Sequence, residues 1–365
     1  MAKHNAANTR IKREYFDYLK EAMRRDEASI DQVAKALARF EETNGHKPFK
    51  QFHRQQAKAF KNRLGNETNA RTGKPLSRAT VHSTLSALRA FFIWLAGQPG
   101  YKRSIAYADA DYFNLSEKEV RIAKATREKP VPTLEQVHRV LAVMPAGTDI
   151  EKRNRALIAL ALLTGARGAA LASLKLKHID LERGSVFQDA REVNTKASKT
   201  FTTFFCPVGG DAPKIVTEWC EYLRTGLLWG EDDPVFPKTA IGLGERGGFE
   251  AFGLARDHWR GTGPIRTIYK QAFAAAGLPY YNPHCFRDML VRLGERRCTT
   301  PEQFKAWSQN LGHERVLTTF TSYGQVPITR QAELIRDLGK PLATEHDEGL
   351  VALLAETVHN YKQGR

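Results

Sequence analysis

Leu311-Gly312-His313-Glu314-Arg315-Val316-Leu317-Thr318-Thr319-Phe320-Thr321-Ser322-Tyr323-Gly324 sets a histidine behind a glycine and a phenol ten residues further on. Upstream stand His284-Cys285-Phe286-Arg287 and Thr164-Gly165-Ala166-Arg167. A phenol can hold a phosphoryl group as an ester and so conserve the energy of the bond it breaks. Its unperturbed pKa of about 10 means that it needs help losing its proton. Negative charge then grows on the non-bridging oxygens, which guanidinium groups match with fixed, permanently charged donors. Preorganised donors of this kind usually supply the largest catalytic term. The departing 5′ oxygen needs a proton, which a lysine can give where no metal is used. These side chains therefore suit metal-free attack on a phosphodiester.

Composition agrees with such a partner. Lys and Arg number 56 against 40 Asp and Glu, for a formal charge of +16 and a pI near 9.7. Neutralising phosphates releases condensed counterions, so this excess favours a polyanion. Cys206, Cys220, Cys285 and Cys298 form no CxxC pair and no zinc spacing, and buried free thiols are expected. No metal and no cofactor is expected. The opening Met1-Ala2-Lys3-His4-Asn5 has no apolar stretch, and no run of about 18 apolar residues exists to span a membrane. A cytoplasmic, nucleoid-associated protein is the expectation.

Periodicity predicts a helical first third. Ile11, Tyr15, Tyr18, Leu19 and Met23 repeat at three and four, as do Ile30, Val33, Leu37 and Phe40. Val81, Leu85, Leu88, Phe92 and Leu95 form the clearest stripe, stopped by Gly97. Between them Phe49, Phe52 and Phe60 share one side of a predicted helix, with Lys50, Arg54, Lys58 and Lys61 opposite. From Lys47 to Arg78 nine basic residues meet one acid, Glu67, which makes this stretch, Arg78 included, a candidate phosphate-tracking surface. Residues 97 to 131 read as a connection. Thr133-Leu134-Glu135-Gln136 then opens a new helix with a capping box, so a domain boundary is placed near 130.

The second domain begins with an apolar helix from Arg155 to Leu163 that ends in Thr164-Gly165. Val186-Phe187 and Phe201 to Pro207 read as strands, joined by the basic turn Asn194 to Thr200. Phe201, Phe204 and Phe205 are read as core. After Val208 the pattern returns to helices, and Pro283 is placed to start the one carrying His284 and Arg287. Gly242-Leu243-Gly244-Glu245-Arg246-Gly247 matches GxGxxG without a βαβ unit around it and reads as a flexible loop. His313-Glu314 begins like a zincin motif, but position 317 is Leu.

In order and spacing these boxes resemble the tyrosine recombinase (phage integrase) family. The resemblance runs by motif over roughly residues 130 to 330 and more weakly over the N-terminal helices. It implies a mainly α chain with a small antiparallel β-sheet. A helical SAM-like core-binding domain (8–125) would precede a mixed α+β catalytic domain (131–340) and a tail helix (341–365). That tail carries Leu350, Leu353, Leu354 and Val358 on one stripe, and the resemblance implies that it docks on a neighbour. Arg167 and Arg287 would clamp the scissile phosphate. His284 would handle the tyrosine proton, His313 would add a hydrogen bond, and Tyr323 would be the nucleophile. Lys196 aligns best as general acid, with Lys199 the alternative. Position 170 is Ala where the family often has an acid, and the interval from His313 to Tyr323 is ten where nine is common.

The resemblance further implies double-stranded DNA held in a C-shaped clamp and a homotetramer on synapsed DNA, with neither metal nor ATP. Lys50, Arg54, Lys58, Lys61, Arg78 and Lys199 are the expected DNA contacts. Two rivals remain open: a type IB topoisomerase using the same chemistry as a monomer, and a non-catalytic DNA-binding regulator.

Overall fold

The computed structural model describes residues 5–70, 72–125, 130–244 and 247–313. The chain divides into two units, Met1–Thr126 and Arg127–Arg365. The first is built from helices α1 (Ala6–Asp17), α2 (Glu27–Asn44), α3 (Arg54–Asn66), α4 (Arg78–Ala96) and α5 (Glu117–Lys124). Asn5, Asp26 and Ser77 each accept a backbone N–H in the first turn of α1, α2 and α4, which fixes where those helices start. The α4 stripe is buried as its spacing requires, and Gly97 caps it. Tyr18 and Met23, read as part of the α1 stripe, are instead exposed.

Aromatic rings fill this core. Phe92 stacks on Phe52 at 3.8 Å and meets Phe40 edge-on at 5.4 Å, while Phe49 meets Phe91 at 5.1 Å. Ring pairs in these geometries add about 0.5–1.5 kcal/mol beyond the area they bury. The stretch from Phe49 to Phe60 is not one helix. A 3₁₀ turn, Phe49–Gln51, precedes an extended Phe52, and α3 starts only after His53, where Gln56 reaches back to the His53 N–H. Extended Phe52 and His53 break the helix, so Lys50 is separated from the arc of Arg54, Lys58 and Lys61. The stretch read as connection is also structured. A 3₁₀ segment, Tyr107–Phe113, buries Ala110 and Phe113, and Ser116 and Glu119 form a capping box that starts α5.

The second unit contains α6 (Leu134–Val143), α7 (Asp149–Thr164), α8 (Gly168–Leu171), β1 (Ile179–Asp180), β2 (Ser185–Gln188), β3 (Phe201–Phe204), α9 (Ala212–Glu221), β4 (Pro237–Leu243), β5 (Phe249–His258), α10 (Gly263–Ala275), α11 (His284–Arg297) and α12 (Pro301–Asn310). Helix α7 is buried from Ala156 to Thr164 and forms the centre of the core. Strands β1, β2 and β3 form an antiparallel sheet in that order, with Ser185 opposite Phe204 and Gln188 opposite Phe201. The phase of β3 differs from the sequence reading. Thr203 is buried and bonded to Gln188, whereas Phe204 is exposed rather than core.

Strands β4 and β5 form a separate antiparallel hairpin where helices were expected. Gly242 and Leu243 of the GxGxxG run are the last residues of β4, paired with Glu250 and Phe249. Buried Arg153 holds the hairpin's base, donating to Pro237 O at 2.8 Å and Thr239 Oγ1 at 3.1 Å with its guanidinium over Trp259. Among the described residues no helix is long and apolar enough to cross a membrane. Cys206, Cys220 and Cys285 are buried free thiols, whereas Cys298 is half-buried. Burial pushes Cys206 and Cys220 up to about 12, which leaves neither usable as a thiolate nucleophile.

Candidate active site

Three of the sequence boxes meet in the second unit. Helix α7 ends at Gly165, whose φ of +59° is left-handed. A Cβ there would stand 3.0 Å from Leu290 Cδ1 and 3.2 Å from Leu311 Cδ2. The glycine thus serves twice, as a C-cap and as the point where α7, α11 and the segment after α12 touch. Thr164 Oγ1 donates to Leu160 O at 2.6 Å and accepts the Ala166 N–H at 3.2 Å, which turns the chain toward Arg167 at the start of α8.

Arg287 lies on the first turn of α11 and is 2% exposed. Its Nη1 donates to Gly165 O at 3.3 Å and its Nη2 donates to Leu311 O. One guanidinium therefore ties the ends of two other boxes together. The fork geometry of arginine allows this and the single ammonium of lysine does not. His284 opens α11 after Pro283, its N–H bonded to Asn282 Oδ1 at 3.0 Å. Its half-exposed ring sits 3.5 Å from Asp288 Oδ1, an i,i+4 pair that orients the imidazole.

His313 follows Gly312, whose φ is +68° and whose added Cβ would fall 2.6 Å from the Phe201 ring. Only glycine lets the chain turn this tightly over β3. The imidazole is 6% exposed, and its backbone N–H donates to Ser308 O at 3.1 Å. Burial, followed by Arg287, Arg167 and Lys199, pushes its pKa down to about 3. His313 is thus neutral near pH 7, able to donate or accept a hydrogen bond but carrying no proton to release as an acid. Three cations from separate stretches of sequence thus lie within electrostatic reach of one ring.

The hairpin lysines differ in placement. Lys196 heads the exposed 3₁₀ turn Lys196–Ser198, in which Ala197 and Ser198 both take positive φ. Lys199 closes that turn, half-buried, within electrostatic reach of His313. Asn310, which no sequence pattern marked, docks the end of α12 on the sheet. Its side-chain amide exchanges two hydrogen bonds with the backbone of Phe204, at 2.6 and 2.9 Å, as a neighbouring strand would. That contact aims Leu311-Gly312-His313. Tyr323 and the tail stripe lie outside the described residues, and among the described residues no group of His, Cys, Asp and Glu is arranged to hold a metal ion.

In the first unit, Arg54 and Lys58 lie over the Tyr112 ring at 6.0 and 5.1 Å, and Lys61 Nζ donates to Asn114 O at 2.8 Å. These α3 cations share one face but are partly committed to their own domain. Lys50 and Arg78 are exposed, the latter as the first residue of α4.

No family model matches the chain. It is 26% identical over 253 residues to the tyrosine recombinase XerC of Lactobacillus delbrueckii subsp. bulgaricus, covering 68% of this chain and 72% of that one. With the XerC of Escherichia coli O127:H6 it shares 32% identity over 164 residues, 45% of this chain and 48% of that one. Solved structures extend the likeness in fold. A lambda integrase dimer bound to a COC′ core site aligns with a TM-score of 0.59 at 14% identity, over 88% of this chain and 99% of that one. The XerH site-specific recombinase on palindromic difH substrate aligns with a TM-score of 0.56 at 18% identity, over 90% and 85%. Motif order and these relatives agree: the chain is similar in sequence to tyrosine recombinases and shares the fold of the solved ones.

Proposed function

We propose that the protein is a site-specific DNA recombinase that cuts and rejoins strands through a 3′-phosphotyrosyl intermediate. The observation that supports this reading is that Arg167, Arg287 and Lys199 all act electrostatically on buried His313, while Arg287 donates to Gly165 O. Phosphate charge is what such a cluster of cations suits best, and double-stranded DNA is the partner that the basic first unit suits.

The phenol oxygen of Tyr323 attacks the scissile phosphorus and its proton passes to His284, whose ring Asp288 orients. As the new P–O bond forms, the bond to the 5′ oxygen breaks. Arg167 and Arg287 hold the non-bridging oxygens while neutral His313 adds a hydrogen bond. A hairpin lysine protonates the departing oxygen, leaving a free 5′-hydroxyl. Attack by the 5′-hydroxyl of a partner strand runs the same steps backwards and completes exchange. Two duplexes present four such phosphates, so a homotetramer assembled on DNA is the working form. Family alignment favours Lys196 as the acid. The electrostatic influence of Lys199 on His313 favours a second assignment, in which Lys199 gives the proton and Lys196 contacts the backbone.

Mapping covalent cleavage on DNA that flanks the encoding gene tests the reading. Two staggered nicks within inverted repeats are expected. Scattered single nicks would instead identify a type IB topoisomerase, and binding without nicks would identify a regulator.

A further inference from the structure

Ser173 makes a connection that the chemistry above does not use. It lies just past α8, 8% exposed, two turns from Arg167. Its hydroxyl hydrogen is directed at the α8 carbonyls of Ala169 and Ala170, at 3.0 and 3.1 Å. Its oxygen accepts the backbone N–H of Asn194 at 2.8 Å, across 21 residues of sequence. One hydroxyl therefore spends its donor on the helix that Arg167 begins and its acceptor on the loop that carries the lysines. Leu171 N–H donates to Arg167 O at 2.9 Å, so the chain of bonds runs unbroken from the arginine's own carbonyl to Asn194.

The loop's other supports lie further back. Between β2 and β3, Ala190 N–H donates to Thr200 Oγ1 at 3.0 Å and closes the base, and Val193 N–H donates to Asp189 O at 2.7 Å. Beyond Asn194 the chain is exposed or half-buried through Thr200 and enters the turn of positive φ values at Ala197 and Ser198. Thr195 N–H only turns back on Val193 O, at 2.7 Å, so among the described residues Ser173 is the nearest anchor outside the loop before Lys196, which lies two residues downstream of Asn194.

We propose that Ser173 is a positioning residue that couples the arginine end of the site to the lysine end, holding the hairpin so that its ammonium group meets the departing 5′ oxygen while Arg167 holds the phosphate. This rests on the proposed transesterification. Loss of the hydroxyl frees the Asn194 end of the loop without removing a group that touches DNA. The defect should therefore appear in protonation of the leaving group, not in binding.

Single-turnover cleavage by the full chain tests this with two substrates, one with the ordinary 5′ oxygen and one with a 5′-thiol that leaves unprotonated. A general acid contributes roughly 10²–10⁴-fold, so misplacing one is expected to slow Ser173→Ala about 10- to 100-fold on oxygen. On the thiol substrate it should stay within about threefold of wild type, with unchanged DNA affinity, and Ser173→Thr should recover most of the lost rate. Should the alanine variant melt early, Ser173→Cys, similar in size but a poor acceptor, is expected to give the same pattern. Equal slowing on both substrates, or no slowing on either, would overturn the role. Lys196→Ala and Lys199→Ala run alongside. If a lysine variant separates the substrates and the Ser173 variants do not, only the Ser173 role falls. If no lysine variant separates them, the hairpin acid itself is wrong and this role falls with it.

Discussion

Arg287→Ala is expected to destroy cleavage and to loosen the catalytic unit at the same time. Burying a guanidinium is tolerated only because its donors are used, and here two of them meet the carbonyls of Gly165 and Leu311. Removing the side chain leaves both acceptors buried without that partner, at about 1–3 kcal/mol each, and opens a void beside Leu290 and Leu311. A loss of roughly 2–5 kcal/mol in urea unfolding of the second unit follows. Losing a preorganised donor to the phosphate adds a cleavage defect of about 10²–10³-fold in whatever protein remains folded. Arg287→Lys keeps the charge but cannot reach both carbonyls, so it should recover part of the stability and little of the rate. An alanine variant with wild-type unfolding and wild-type cleavage would show that the three boxes are not joined through this residue.

Lys196→Ala is expected to have the second largest effect, and it is selective. If its ammonium protonates the 5′ oxygen, the variant should cleave ordinary DNA about 10²–10⁴-fold more slowly. A 5′-thiol substrate should be cut at nearly the wild-type rate. Lys199→Ala should then be the milder variant on both substrates, reflecting the loss of a positive charge near His313 and the phosphate. The reverse ranking would move the acid to Lys199, in keeping with its electrostatic effect on the imidazole. Rates measured on both substrates for both variants decide between the two.

Much of the site was legible because its chemistry restricts residue types. TGxR, HxxR and LGH each hold side chains whose charge or donor geometry the reaction needs, and their order survives any folding. What the residues could not disclose was why the accompanying letters are fixed. Gly165 and Gly312 read as turn residues, yet each is also where another element comes too close for a Cβ. Arg287 read as a phosphate clamp, and its bonds to two carbonyls depend on contacts across 122 and 24 residues. Ser173 and Asn310 gave no signal at all, since a serine after a short helix and an asparagine ending one are common on any surface.

The fold was legible where periodicity was strong, as in α4, or where an unbroken apolar run stood, as in α7. It failed where a single break or weak alternation decided the outcome. Extended Phe52 and the His53 cap split a run of apolar and basic residues that otherwise has helical spacing. The β4–β5 hairpin was missed because Ile241, Leu243, Phe249 and Phe252 are all exposed, so no apolar-in, polar-out alternation marks its strands. In β3 the choice between Thr203 and Phe204 as the inward residue was set by hydrogen bonds from Gln188 and to Asn310, which lie outside the strand's own pattern.

The most direct measurement traps the protein on a nicked suicide duplex labelled in the segment 5′ of the break, the one that keeps the scissile phosphate at its 3′ end, then digests the adduct and sequences the labelled peptide. The label is expected on Tyr323 as a 3′-phosphoryl ester, and Tyr323→Phe should bind the same duplex with no label retained after denaturation. Label on another residue, a 5′ linkage, or an adduct that persists in the phenylalanine variant would contradict the assignment of that phenol as the nucleophile.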